Sequence, residues 1–293
     1  MKTYTNKNVD EAIQYYVNNG YVVFRNLVDI QYINNIEHYV NNCIEICKNK
    51  FKTVDYHEMA VSIMNKMENS SVLRNVTDND KLLNVMIRIL GPDIAIFNFD
   101  ALWLNVPKDK NPVLNKDLHT DAWTGTSVNT IFAKFFCTDC DEYNGLVVAP
   151  GSHLQGLIPV RNRAIDKNAD ATFKTNNLHQ MEMGDFIFWH PLLLHSTTGH
   201  SAKNVRLSIT SRYTSTETGF SSQERALGYR TLKVGPNNQI KRIVGNDNLL
   251  PFRTFGGFVG VDKRMRKVYG LSEYQETINY NEYLPPLSEK SNN

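Results

Sequence analysis

Two histidines and one aspartate are the residues most able to do chemistry together. His119 and Asp121 are separated by one residue, and the two-residue period of a strand would turn both side chains to one face. There an imidazole and a carboxylate can grip one metal ion. His195 follows the apolar run Phe186-Ile187-Phe188-Trp189 and supplies a second imidazole. Two histidines and a carboxylate leave ligand positions open for a co-substrate and O2, the arrangement that suits iron(II) oxygen chemistry. Zinc in the same set would instead support a hydrolase or isomerase, so the three ligands leave the reaction open.

Arg206 narrows it. It lies in Val205-Arg206-Leu207-Ser208-Ile209, a strand-like run in which Ser208 shares its face. The guanidinium fork can bind a carboxylate with two parallel bonds, and the Ser208 hydroxyl can add a third. An inward arginine on a core strand is costly unless paired, so it implies an anion in the cavity or an acidic side chain beside it. His190 and His200 flank His195 evenly, but His190 precedes Pro191 and reads as a strand end, while His200 sits in a polar turn. His153, in Pro150-Gly151-Ser152-His153, reads as turn-stabilising, and Trp123 shares the facing of His119 and Asp121 and can line a pocket.

The elements that must position these residues divide the chain in two. Residues 9–90 read as mostly helical: 10–18, 30–47 and 80–90 space their apolar residues three and four apart, with one strand at 20–25 after an Asn-Asn-Gly stop. From residue 94 the pattern changes to strands at 94–106, 117–123, 128–138, 145–149, 185–190 and 204–213. Short strands without intervening helices predict two packed antiparallel sheets or a barrel. We therefore expect a mainly β, jelly-roll core with flanking helices over residues 1–213, and an extension at 214–293 packed on the same domain, its role unknown. That extension carries the basic cluster Lys263-Arg264-Met265-Arg266-Lys267, which reads as a solvated surface or a landing place for an anionic substrate.

Composition sets outer bounds. The 293 residues carry 32 Lys and Arg against 30 Asp and Glu, a net charge of +2 that gives no reason to expect nucleic acid or an anionic membrane as partner. With no apolar leader-like stretch and no run long enough to span a bilayer, the chain reads as soluble and cytoplasmic. Cys43, Cys47, Cys137 and Cys140 are too few for a disulfide scaffold, and the Cys-x-x-C at 137–140 reads as small apolar filler at a strand end rather than half of a zinc site.

Read together, His119-x-Asp121, Asn144-Gly145-Leu146-Val147-Val148-Ala149-Pro150-Gly151-Ser152-His153, Gly184-Asp185 leading to His195, and Arg206 with Arg212-Tyr213 resemble the phytanoyl-CoA dioxygenase family of iron(II)/2-oxoglutarate oxygenases. The stretch Asn19-Gly20-Tyr21-Val22-Val23-Phe24-Arg25 fits the family's opening as well. The resemblance covers about residues 9–213 and implies a double-stranded β-helix (jelly-roll, cupin-like) fold. It also implies Fe(II), 2-oxoglutarate and O2 as cofactor and co-substrates, with His119, Asp121 and His195 on iron. Arg206 would then pair with the distal carboxylate of 2-oxoglutarate, and Thr197 and Thr120 fall where the family contacts the co-substrate. The implied activity is hydroxylation of a small or carrier-linked molecule, with an anionic substrate as one possibility; retention of Asp121 disfavours halogenation. A zinc jelly-roll hydrolase or isomerase, and a silent binding protein of the same fold, are the rival readings. One departure stands out: before His-x-Asp, where many members have a Lys-Pro-Pro type stretch, this chain has Leu104-Asn105-Val106-Pro107.

Overall fold

The computed structural model describes residues 1–68, 70–97, 101–105, 118–122, 126–141, 144–158, 160–161, 164–165, 173–197, 205–215, 229–233 and 280–287. Helices come first. Helix α1 (Val9–Asn19) ends at Gly20, whose φ of +77° is the left-handed conformation that glycine adopts without strain. A Cβ there would also sit 2.5 Å from the His153 ring, so a second reason excludes other residues. Strand β1 (Tyr21–Phe24) leads to α2 (Ile30–Lys50), whose Asp29 cap accepts from Gln31 N–H at 2.9 Å. Helices α3 (Tyr56–Met67) and α4 (Ser71–Thr77) are capped by Asp55 and Ser70, and Asn79 caps α5 (Asp80–Leu90). The apolar spacing singled out α1, α2 and α5. Helices α3 and α4 also carry side-chain caps.

The strand region supplies β2 (Ile94–Phe97), β3 (Ala101–Asn105), β4 (Thr130–Phe136), β5 (Leu146–Val148), β6 (Val160–Arg161), β7 (Ala164–Ile165), β8 (Asn176–Leu178), β9 (Phe186–Trp189), β10 (His195–Thr197), β11 (Arg206–Ser215) and β12 (Tyr229–Lys233). The large sheet runs β1-β9-β4-β11-β2-β12, with β3 beside β11 on the same edge as β2. A small sheet runs β10-β5-β8, and β6 and β7 form a separate pair. Along the chain β3 lies in the large sheet, His119 bridges to the small one, β4 returns to the large, β5 and β8 to the small, β9 to the large, β10 to the small and β11 to the large. This alternation is the jelly-roll connectivity expected from the sequence.

The large sheet is buried on both faces. Val22, Phe24, Ala133, Phe135, Phe186, Phe188, Leu207 and Ile209 join the helices in one core, while Phe132, Phe136, Ile187 and Trp189 join Leu146, Val148 and Leu178 of the small sheet in another. Each such large apolar side chain contributes about 1.5–3 kcal/mol on burial. Cys43, Cys47 and Cys137 are buried filler and Cys140 is half-buried, all with free thiols.

Two strand expectations change. Among the described residues 118–122 of the run at 117–123, His119 alone makes a bridge, to His195, and no ladder forms. Of the run at 94–106, the described parts are β2 and β3, both antiparallel to β11. From the C-terminal extension, β12 adds to the β2 edge, and the 3-10 turn Tyr280–Glu282 docks on α3, with Tyr280 Oη accepting from Asp55 N–H at 2.9 Å. The basic cluster at 263–267, His200 and Trp123 lie outside the described residues.

Candidate metal centre

Among the described residues one group of metal-binding type occurs: His119, Asp121 and His195, with one donor atom from each lying within 4.8 Å of the others. His119 and His195 face each other across reciprocal backbone hydrogen bonds of 3.0 and 2.9 Å, which brings their ring centroids to 4.5 Å. Asp121 is placed differently from the expected strand alternation. Its N–H, and that of Ala122, both donate to the Pro191 carbonyl, at 2.9 and 3.1 Å. The turn after β9 therefore holds the carboxylate.

Each side chain is also oriented. His195 Nδ1 is 3.0 Å from the Leu193 carbonyl, and because a carbonyl only accepts, the ring proton sits on Nδ1 and leaves the Nε2 lone pair for a metal. Asp121 Oδ2 accepts from Trp189 Nε1 at 3.0 Å and lies 3.4 Å from His195 Nε2. Burial alone would raise the Asp121 pKa; the electrostatic influence of His195, His119 and Arg212 and the Trp189 hydrogen bond outweigh it and hold the carboxyl below its usual range. The donor set and its hydrogen-bonded supports fit a divalent ion with open positions. Sequence reasoning missed Trp189, although a buried indole N–H must find an acceptor.

Arg206 opens the inner face of β11, where Arg206, Ser208, Thr210 and Arg212 alternate with Leu207, Ile209 and Tyr213 turned to the helices. It is 1% exposed. Nη2 donates to Asn105 Oδ1 at 2.8 Å, Nη1 donates to the Asn144 carbonyl, and Nε has no hydrogen-bond partner. Among the described residues no ion pair within 4 Å involves it; the Cys140 thiol and, more weakly, the Asp141 carboxylate are its nearest groups able to bear negative charge. The departure at position 105 thus has a use: its amide oxygen accepts from the arginine, which a lysine ammonium could not do. Ser208 and Thr120 are fully buried with hydroxyls that have no partner. Thr197 lies two residues past His195 on β10, opposite Leu146, and so shares the face of His195.

The Asn144–His153 run does mechanical work. Gly145 admits β8, since a Cβ would meet Asn177 Oδ1 at 2.5 Å. Ser152 Oγ accepts from Leu194 N–H at 2.9 Å, and Ala149 N–H donates to the Leu194 carbonyl at 2.9 Å, so the residue before His195 is clamped from both sides. His153 ties this turn to α1 through the Val17 carbonyl, as the turn-stabilising reading expected. His190 closes β9 with Nδ1 accepting from Leu192 N–H, and burial followed by the neighbouring His153 pushes its pKa down to about 4. Asp185 of the Gly-Asp pair joins β9 to Arg25 at 3.3 Å.

A jelly-roll whose small sheet converges two imidazoles and a carboxylate, opposite a buried arginine, defines a mononuclear metal enzyme of the oxygenase type. The chain belongs to the phytanoyl-CoA dioxygenase (PhyH) family, which matches residues 16–208. A probable phytanoyl-CoA dioxygenase of Caenorhabditis elegans is 24% identical over 245 residues, covering 69% of this chain and 74% of that one. The peroxisomal phytanoyl-CoA dioxygenase of Homo sapiens is 25% identical over 238 residues, covering 71% and 68%. Among solved structures, the epimerase SnoN in complex with Fe3+, alpha ketoglutarate and nogalamycin RO superposes with a TM-score of 0.57 at 16% identity, covering 73% of this chain and 86% of that one. The protein is accordingly a non-haem iron oxygenase dependent on 2-oxoglutarate and O2. No helix among the described residues is long and apolar enough to cross a membrane.

Proposed function

We propose that the protein hydroxylates a small-molecule or carrier-linked substrate while converting 2-oxoglutarate to succinate and CO2. His119, Asp121 and His195 hold Fe(II), and Arg206 with Ser208 holds the distal carboxylate of 2-oxoglutarate. The observation that carries this reading is a buried arginine without an ion-pair partner among the described residues, facing the same interior as three convergent metal donors. Such a guanidinium needs an anion, and a 2-oxo dicarboxylate that also reaches the metal supplies one. Iron with 2-oxoglutarate and O2 supplies the power to oxidise an unactivated C–H bond. The chain's own residues orient the carboxylate ligand (Trp189) and fix the tautomer of His195 (Leu193 carbonyl). Thr197 and Thr120 stand where they can reach the co-substrate, and Arg212, inward and close enough to lower the Asp121 pKa, favours an anionic substrate. The reading is tested by following succinate release with Fe(II), ascorbate and pools of candidate metabolites. Succinate that rises with one pool and not with the Asp121→Ala variant supports it; failure to bind iron and 2-oxoglutarate together without O2 refutes it.

A further inference from the structure

Lys134 is an anomaly in its strand. It sits in the run Ile131-Phe132-Ala133-Lys134-Phe135-Phe136 of β4 and is 6% exposed. The ladder fixes where it faces. Lys134 pairs with Thr210 on one side and Ile187 on the other, and its same-face neighbours Phe132 and Phe136 belong to the core between the sheets. The ammonium therefore enters the interior that holds the metal ligands and the inner face of β11.

Its position within that interior is set by two indoles. Nζ lies 5.3 Å from the Trp103 ring centroid and 6.0 Å from that of Trp189. Trp189 is the residue bonded to Asp121, so it marks the metal end. Trp103 pairs with Ser208, and its N–H is fixed on Thr210 Oγ1 at 3.0 Å, so it marks the Arg206 end. The half-buried Cys140 thiol adds an independent bearing. Burial pushes it up to about 11, while Arg206 and Lys134 pull it down and the Asp141 carboxylate pushes it up more weakly, so both cations approach the same side of the pocket. On the same face of β11, Arg206 Nε and Ser208 Oγ are buried without hydrogen-bond partners among the described residues.

We infer that Lys134 is a second cation of the co-substrate pocket, gripping the distal carboxylate of 2-oxoglutarate together with Arg206 and making the pocket selective for dicarboxylates. The inference rests on the proposed function and names a residue that the resemblance did not mark. Two cations facing one carboxylate favour a dianionic 2-oxo acid over a monoanionic one, because each bond to an ionised partner is stronger than a neutral one. The indoles hold the ammonium in place and cost it little, since the cation stays attracted to their faces.

The experiment compares wild type, Lys134→Met and Lys134→Arg, each loaded with Mn(II) without O2, for calorimetric binding of 2-oxoglutarate and of 2-oxobutanoate, which chelates alike but lacks the distal carboxylate. Lys134→Met should weaken 2-oxoglutarate about tenfold to a hundredfold. It should leave 2-oxobutanoate and Mn(II) unchanged, and Lys134→Arg should restore much of the loss. Unchanged 2-oxoglutarate affinity in Lys134→Met, or equal weakening of both acids, overturns the inference. A wild type that holds Mn(II) but neither keto acid refutes the oxygenase reading itself, and this inference with it. Should Lys134→Met not fold, Lys134→Gln takes its place: 2-oxoglutarate weakened about tenfold or more with 2-oxobutanoate unchanged upholds the inference, and wild-type affinity for both acids overturns it.

Discussion

The two sheets that enclose the site are built on opposite terms. The small sheet carries His195 on a three-residue strand, and His119 is attached to it by a single bridge. The candidate ligands on this side are held by individual bonds: Pro191 to Asp121, Leu193 to the His195 ring, Ser152 to Leu194. The large sheet carries Arg206 on a ten-residue strand paired along both edges, with apolar cores above and below. The difference implies that the metal side can be disabled without unfolding the protein, whereas the anchor side is part of the core. Metal affinity and co-substrate affinity should therefore separate under mutation, and stability should follow the second.

The largest effect is expected at Asp121. Asp121→Ala removes a proposed ligand whose backbone is held from elsewhere, so Fe(II) binding and succinate formation should vanish while the denaturant midpoint stays near wild type. A large drop in stability would contradict the contrast between the sheets. Next comes Arg206→Ala. Losing charge-assisted bonds at ~1.5 kcal/mol or more each should raise the 2-oxoglutarate requirement on the order of a hundredfold. Stability should also fall by about 1–3 kcal/mol, because Asn105 and the Asn144 carbonyl are left buried without their donor. Metal binding measured by titration should hardly change. If co-substrate affinity survives, the anchor has been misassigned and Arg212 is the next residue to test.

Trp189→Phe probes the link between the sheets, since a large-sheet residue supports a ligand from the other side. It should weaken metal binding about 10-fold, the lower end for loss of a supporting hydrogen bond, with a smaller change in 2-oxoglutarate affinity. Ser152→Ala leaves the Leu194 N–H without its acceptor and should cost roughly 1 kcal/mol by urea denaturation. The smallest effect concerns pH. His190 has a folded pKa near 4 against an ordinary 6.5, chiefly from burial. As pH falls below 6.5 the unfolded chain takes the proton first, so this part of the stability is complete above 6.5 and is lost progressively toward 4. His190→Asn should flatten the stability profile between pH 7 and 4.5; an unaltered slope would show that His190 is not its source.

What the residues announced on their own was chemistry with a strong local signature. His119, Asp121, His195 and Arg206 are types that core strands rarely bury, at spacings that strands can use, and the helices at α1, α2 and α5 follow from caps and apolar period. Most of the jelly-roll was legible for the same reason, because alternation and turn residues act over a few positions. Tertiary structure decided what depends on partners far along the chain. Asn105 meets Arg206 across 101 residues, and Trp189 meets Asp121 across 68. Lys134 lies within an apolar run that, read alone, has no polar face. Only its pairing with Thr210 and Ile187 turns that one ammonium toward the metal and the arginine, since the facing of a strand buried on both sides is set by its neighbours in the sheet.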